Sequence, residues 1–180
     1  MSLIIFERVD FVLKKILFKG VCTAIATPFN SDGVNIPAFE KLLSFQLLNS
    51  VDSIIVCGTT GEASTMSDDE KSSIIKCAVD FVDKKIPIIV GCGSNDTNKA
   101  IFNAKMAESL GADGLLVVTP YYNKCTQSGL IKHYSKIAES VSIPIILYNV
   151  PSRTGVNIEP ETCFELSKVS NIVAIKEASG

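Results

Sequence analysis

The sequence has no tryptophan, a single histidine, His133, and six cysteines, Cys22, Cys57, Cys77, Cys92, Cys125 and Cys163, none of them in a C-x-x-C pair. Without a Cys/His cluster there is no zinc site to expect, and thiols scattered without a pairing pattern read as reduced ones. No run of 18 apolar residues occurs, so a membrane-spanning helix is not expected. An excess of charge of either sign is missing: 17 Lys and Arg stand against 19 Asp and Glu, a net charge of −2. That leaves no basic field for a phosphate backbone and sets nucleic acid aside as a partner. A signal-peptide core is missing too, since the apolar run Leu3 to Phe6 is followed at once by Glu7, Arg8 and Asp10. These absences point to a soluble, cytoplasmic chain without metal, membrane or nucleic acid as partner.

What is present is an ordinary globular composition, 47% apolar over 180 residues, arranged as one repeating unit. Short β-rich runs at Val21 to Thr27, Ser53 to Cys57, Ile86 to Val90, Gly114 to Thr119, Ile143 to Tyr148 and Ile172 to Ile175 read as strands. Between them, Ile36 to Leu48, Asp68 to Val82, Thr97 to Leu110, Ser128 to Ser140 and Glu161 to Ser167 read as helices. Ser67 and Glu70 make a capping box, Pro37 suits a first helical turn, and Gly111 suits a helix stop. Residues 1 to 17 stand apart as an N-terminal extension. Leu3, Phe6, Val9, Leu13 and Ile16 recur at helical spacing, which allows an amphipathic helix; a start-site extension ahead of the first true strand is the preferred reading.

Strand starts spaced by 32, 33, 28, 29 and 29 residues have the period of β/α units in a parallel sheet. A dinucleotide-binding sheet would carry G-x-G-x-x-G after an early strand, but Gly91-Cys92-Gly93-Ser94-Asn95-Asp96 has Asp at the third glycine position. The fold class expected is therefore α/β, a (β/α)8 TIM barrel of which residues 18 to 180 carry about six units. Six parallel strands do not close a cylinder, so strands one and six are each expected to expose an edge.

A barrel collects its chemistry at the C-terminal strand ends. There stand Gly58-Thr59-Thr60-Gly61-Glu62, Thr119-Pro120-Tyr121-Tyr122, Tyr148-Asn149-Val150-Pro151 and Lys176-Glu177. An ammonium such as Lys176 at the mouth of an apolar barrel is desolvated, which favours the amine that attacks a ketone to form a Schiff base; position alone equally allows a lysine reaching solvent. Tyr148, on the neighbouring strand, is placed to pass protons. Gly58, Thr59 and Thr60 offer hydroxyls and backbone N–H groups to a carboxylate, and Arg153 offers a forked cation to a second one. His133, mid-helix without a partner in sequence, reads as structural or solvent-facing.

Together with Thr119-Pro120-Tyr121-Tyr122-Asn123-Lys124, Tyr148-Asn149-Val150-Pro151-Ser152-Arg153-Thr154-Gly155 and Ile175-Lys176-Glu177-Ala178-Ser179-Gly180, the Gly58 to Glu62 motif resembles the 4-hydroxy-tetrahydrodipicolinate synthase (dihydrodipicolinate synthase) family, within the N-acetylneuraminate lyase and class I pyruvate aldolase superfamily. The resemblance runs from about Phe18 to Gly180. It implies a lyase of lysine and diaminopimelate biosynthesis that condenses pyruvate with L-aspartate-4-semialdehyde, with no cofactor beyond a covalent pyruvate imine on Lys176. It also implies Tyr148, Thr60 and Tyr122 as the proton relay, Thr59, Thr60 and Gly58 at the pyruvate carboxylate, and Arg153 facing the semialdehyde carboxylate. Tyr121 or Tyr122 is implied to reach across a dimer interface in a homotetramer, a dimer of dimers. The alternatives are a catalytically impaired fragment of such an enzyme and a relative of the N-acetylneuraminate lyase type; the combination of Thr59-Thr60 with Arg153 favours the synthase. Where lysine-inhibited members carry histidines and a glutamate, this chain has Asp68, Lys71 and Lys99, which implies insensitivity to lysine.

Overall fold

The alternation expected from the apolar runs is the one observed in the computed structural model, which describes residues 2–5, 8–9 and 12–180. In chain order the elements are β1 (Ser2–Ile5), β2 (Arg8–Val9), β3 (Val12–Leu13), β4 (Cys22–Ala24), β5 (Phe29–Asn30), β6 (Gly33–Val34), α1 (Ile36–Leu48), β7 (Ser53–Val56), a 3-10 turn Ala63–Thr65, α2 (Asp68–Val82), β8 (Ile88–Gly91), α3 (Thr97–Ser109), β9 (Gly114–Val118), α4 (Gln127–Glu139), β10 (Ile145–Asn149), α5 (Pro151–Thr154), α6 (Pro160–Ser167) and β11 (Ile172–Glu177). Local chemistry fixes the helix ends. Asn35 accepts the Ala38 N–H at 3.1 Å ahead of Pro37 in the first turn of α1. At α2 the capping box is complete: the Glu70 N–H donates to Ser67 Oγ at 3.2 Å and the Ser67 N–H to Glu70 Oε2 at 2.8 Å. Gly111 ends α3 at φ +91°, a conformation in which any Cβ is strained.

The chain divides into two compact units. One comprises Leu17–Gly91 and Met106–Gly114. Here β4 pairs parallel with β7 and β7 with β8, α2 packs on β7 and β8 and against α1, and Phe39, Leu43, Ile54, Ile74, Ile75, Ile88 and Ile89 are buried. Strands β7 and β8 are near-continuous apolar runs, as strands covered on both faces are, while β4 is half-buried. Gly91 serves packing rather than phosphate binding: a Cβ there would lie 2.2 Å from the Cys57 carbonyl oxygen. A groove of about 530 Å³, lined by residues that include Phe18, Leu47 and Pro87, lies in this unit at the opposite strand ends from Gly58–Gly61.

The other unit comprises Met1–Ile16, Cys92–Lys105 and Leu115–Gly180. Strand β10 pairs parallel with β9 on one side and with β11 on the other. Its core is made by Leu115, Leu130, Tyr134, Ile137, Ile145 and Ile172, and the Tyr134 hydroxyl donates to the Val117 carbonyl at 3.1 Å. His133 is structural: it is buried, its Nδ1 lies 2.9 Å from the Thr97 hydroxyl, and its ring meets Tyr134 edge-on at 5.4 Å.

One expectation is corrected in this unit, and one reading left open by the sequence is settled where the segment is described. The N-terminal segment is not helical where it is described; Ser2–Ile5 is a strand, and β2 and β3 pair as a short antiparallel ladder. Nor is the outer edge of β11 bare, because β1 pairs with it antiparallel, Ser2 opposite Glu177 and Leu3 opposite Lys176. An unpaired row of backbone donors and acceptors is a strong enough demand to draw in a short apolar segment with some β propensity. Phe6, Glu7, Asp10 and Phe11, in the stretch where the apolar spacing allowed a helix, lie outside the described residues. The segment is tied down at its far end by Lys14, which is 6% exposed and donates from Nζ to the Val169 and Ser170 carbonyls.

Deleting residues 1–16 should therefore uncover the β11 edge. Size-exclusion chromatography with light scattering is expected to show concentration-dependent association of the shortened chain, and amide exchange at 172–177 to accelerate; unchanged behaviour on both would contradict the pairing. Burial pushes the His133 pKa below its ordinary 6.5, against an opposing pull from Asp96. The folded state thus favours the neutral ring, and the stabilisation is present above pH 6.5 and lost as pH falls from there through the folded value. Urea unfolding of His133→Gln across this range should show a flatter pH profile than the parent, and parallel profiles would contradict this.

Candidate active site

Strand β11 runs two residues further than the apolar run alone indicates, so Lys176 lies inside the strand and is paired on both sides. Register places it opposite Tyr148 of β10, which in turn stands opposite Val118 of β9. Side chains on a common rung point to the same face. Accordingly Lys176 Nζ lies 4.2 Å from the centroid of the Tyr148 ring, with the two residues 8% and 7% exposed. A cation over an aromatic face, largely removed from water, is held in one orientation. Of the residues singled out from sequence, these are the two brought directly together.

The next rung pairs Asn149 with Glu177, and sequence reasoning assigned neither a role. Their signal was legible only in register: each follows its partner in Tyr148-Asn149 and Lys176-Glu177. The Asn149 amide donates to both carboxylate oxygens of Glu177, at 3.1 and 3.0 Å, and to Asn157 Oδ1 at 2.8 Å. Burial raises the Glu177 carboxyl, but the bonds from Asn149 and Ser179 outweigh it and hold the group below the ordinary carboxylate value. Thr119, at the end of β9, is fully buried and its hydroxyl has no hydrogen-bond partner among the described residues.

Beyond these rungs the unit presents Arg153 on α5, exposed and without an ion pair among the described residues. Gly155 ends that helix, its N–H donating to the Pro151 carbonyl at 2.8 Å. Tyr121 is 37% exposed and Tyr122 91% exposed, the latter at φ +71°, where a side chain is rarely found. Within the one chain Tyr122 is turned to the surface.

In the first unit Gly58–Gly61 is a tight turn at the C-terminal end of β7, closed by the Gly61 N–H to the Gly58 carbonyl at 3.1 Å. The Thr27 hydroxyl donates to the Gly61 carbonyl at 2.8 Å, and a Cβ on Gly61 would stand 3.2 Å from both Thr27 Oγ1 and the Ile25 carbonyl. Thr59 and Thr60 are exposed on this turn. Cys57, just before it, is no competing nucleophile: burial pushes its thiol up to about 12, against a downward pull from Lys71.

Comparison with known proteins adds an independent line. The model of the Dihydrodipicolinate synthetase family matches residues 17–180. The 4-hydroxy-tetrahydrodipicolinate synthase of Alkaliphilus oremlandii is 56% identical over 164 residues, 91% of this chain and 57% of that protein. That of Acetivibrio thermocellus is 54% identical over 167 residues, 93% of this chain and 57% of that protein. Among solved structures, dihydrodipicolinate synthase from Thermotoga maritima superposes with a TM-score of 0.89 at 48% identity, covering 91% of this chain and 56% of that one. A monomeric dihydrodipicolinate synthase variant gives 0.89 at 49% identity, covering 91% and 55%. This chain thus spans about 57% of the length of the curated relatives it matches.

Proposed function

Because the chain belongs to the dihydrodipicolinate synthetase family, we propose that its partial (β/α)8 barrel carries the Schiff-base chemistry by which pyruvate is condensed with L-aspartate-4-semialdehyde. The observation that carries this reading is the Tyr148–Lys176 rung: a nearly buried amine held against a phenol, the nucleophile and proton carrier that imine chemistry needs.

In this scheme Lys176 Nζ attacks C2 of pyruvate, the ketone oxygen leaves as water, and an imine forms. Loss of a proton from C3 gives the enamine, with the protonated imine nitrogen as electron sink, so no further cofactor is required. The enamine C3 then bonds to the aldehyde carbon of the semialdehyde, whose oxygen takes up a proton. The semialdehyde amino group attacks the imine carbon, closing the ring and releasing Lys176 as 4-hydroxy-tetrahydrodipicolinate forms. Tyr148 carries protons at the imine with Thr60 and Tyr122. Gly58, Thr59 and Thr60 take the pyruvate carboxylate, and Arg153 takes the semialdehyde carboxylate.

The exposure of Tyr122 supports its serving a neighbouring copy, in a homo-oligomer such as a dimer of dimers. The names of the relatives, at 52% to 56% identity, favour the synthase over an N-acetylneuraminate lyase. No helix among the described residues is long and apolar enough to cross a membrane, and a cytoplasmic setting is part of the proposal. Insensitivity to lysine is proposed as well: Lys71 pairs with Asp68 at 3.9 Å, and Lys99 lies 4.5 Å from the Phe102 ring centroid.

Incubation with pyruvate, borohydride reduction and peptide mapping test the reading. One reduced pyruvate adduct on Lys176, absent from Lys176→Ala, is expected, followed by turnover when the semialdehyde is added. No adduct at saturating pyruvate would overturn the proposal; an adduct without turnover would favour the impaired-fragment alternative.

A further inference from the structure

Four side chains on two successive rungs divide between the two faces of the β10–β11 pair. Tyr148 and Lys176 share one rung, Asn149 and Glu177 the next, and successive residues of a strand point to opposite faces. Asn149 and Glu177 therefore stand on the face away from the amine and phenol, and neither is placed to touch substrate bound there. Yet Asn149 is 1% exposed and both polar atoms of its side chain are hydrogen-bonded. Its Nδ2 serves Glu177 and Asn157, its Oδ1 accepts the Ile158 N–H at 3.0 Å, and its own carbonyl accepts the Ala178 N–H at 2.9 Å. Glu177 Oε1 also accepts the Ser179 N–H at 2.8 Å, and Asn157 Nδ2 donates to Glu159 at 3.2 Å.

One amide thus joins three pieces of chain: the end of β10 that carries Tyr148, the end of β11 that carries Lys176, and the loop after α5, the helix of Arg153. Strand ends ordinarily fray, and the amine and phenol sit within one or two residues of theirs. An amide bonded to an anion on the adjacent strand opposes slippage where it would separate them.

We propose that Asn149 and Glu177 are a positioning pair, a cross-strand amide–carboxylate clamp that holds Lys176 against the Tyr148 ring from the opposite face of the sheet. This rests on the Schiff-base reading for its chemical consequence but not for its geometry. Asn149→Ala leaves Glu177 without its amide donor, and Glu177→Gln replaces a carboxylate that accepts through both oxygens by a neutral amide that accepts through one, which weakens the bond. The double exchange Asn149→Asp with Glu177→Gln restores one donor and one acceptor with the roles reversed.

The test has two arms on the full chain. In the first, carbon-13 lysine labelling reports the ring-current displacement of the Lys176 ε-methylene, without any substrate. The displacement is expected in the parent, lost in Asn149→Ala, reduced in Glu177→Gln, and regained in the double exchange. In the second, the rate of borohydride-trapped adduct is followed against pyruvate concentration. The single variants should lose about tenfold or more in limiting rate, with the half-saturating pyruvate concentration little changed and recovery in the double exchange. Should Asn149→Ala fail to fold, Glu177→Gln carries both arms, since its carboxylate is partly exposed and its volume is kept. A Lys176 displacement that survives both single variants would overturn the clamp, whatever the adduct shows. Failure of the parent to form an adduct, with the displacement responding as expected, would overturn the Schiff-base reading and leave the clamp standing.

Discussion

The parallel pairing of β10 with β11 fixes the face to which Lys176 and Tyr148 point, and a slip of one residue would send the amine to the helix side and bring Glu177 to the other. Much of the surrounding structure resists that slip. Ile145, Ile146 and Leu147 on one strand and Ile172 to Ile175 on the other are buried, β9 pairs with β10 from one side, and β1 pairs with β11 from the other. The strands can be near-continuously apolar because helices cover the faces of such a sheet, and that same dryness makes an amine beside a phenol chemically distinctive.

Elements whose information is local were legible in the sequence. The starts of α1 and α2 follow from Pro37, Ser67 and Glu70, residues that act on backbone groups within one turn. The six parallel strands were legible for a related reason, since short β-branched runs at a spacing near 30 residues fit little else. Elements whose information is tertiary were not. The pairing of Ser2–Ile5 depends on an edge more than 160 residues away, and Leu3, Phe6 and Val9 fit a helical stripe just as well. The β5–β6 hairpin, only two residues a side, is too short for periodicity to register, and α5 is a single turn nucleated by Pro151.

The site divides in the same way. Lys176, Tyr148, Arg153 and the Thr59-Thr60 turn were singled out because motif and strand end coincide there, and of these the structure brings Lys176 and Tyr148 together. The Asn149–Glu177 rung was missed because an amide and a carboxylate 28 positions apart carry no signal until register is known. Tyr122 shows the reverse: its motif implies a role that one chain does not display, because its side chain is turned to solvent. Family membership holds over residues 17–180, while this chain spans about 57% of the length of its relatives. The chemistry proposed here is accordingly anchored in the geometry of the β10–β11 rungs.

A crystal structure of the protein treated with pyruvate and borohydride tests that geometry most directly. The account predicts continuous density from Lys176 Nζ to C2 of the pyruvyl group, with the Tyr148 hydroxyl within hydrogen-bond reach of the adduct and the Asn149–Glu177 contact intact. Density ending at Nζ, or an adduct on another lysine with Tyr148 turned away, would contradict it.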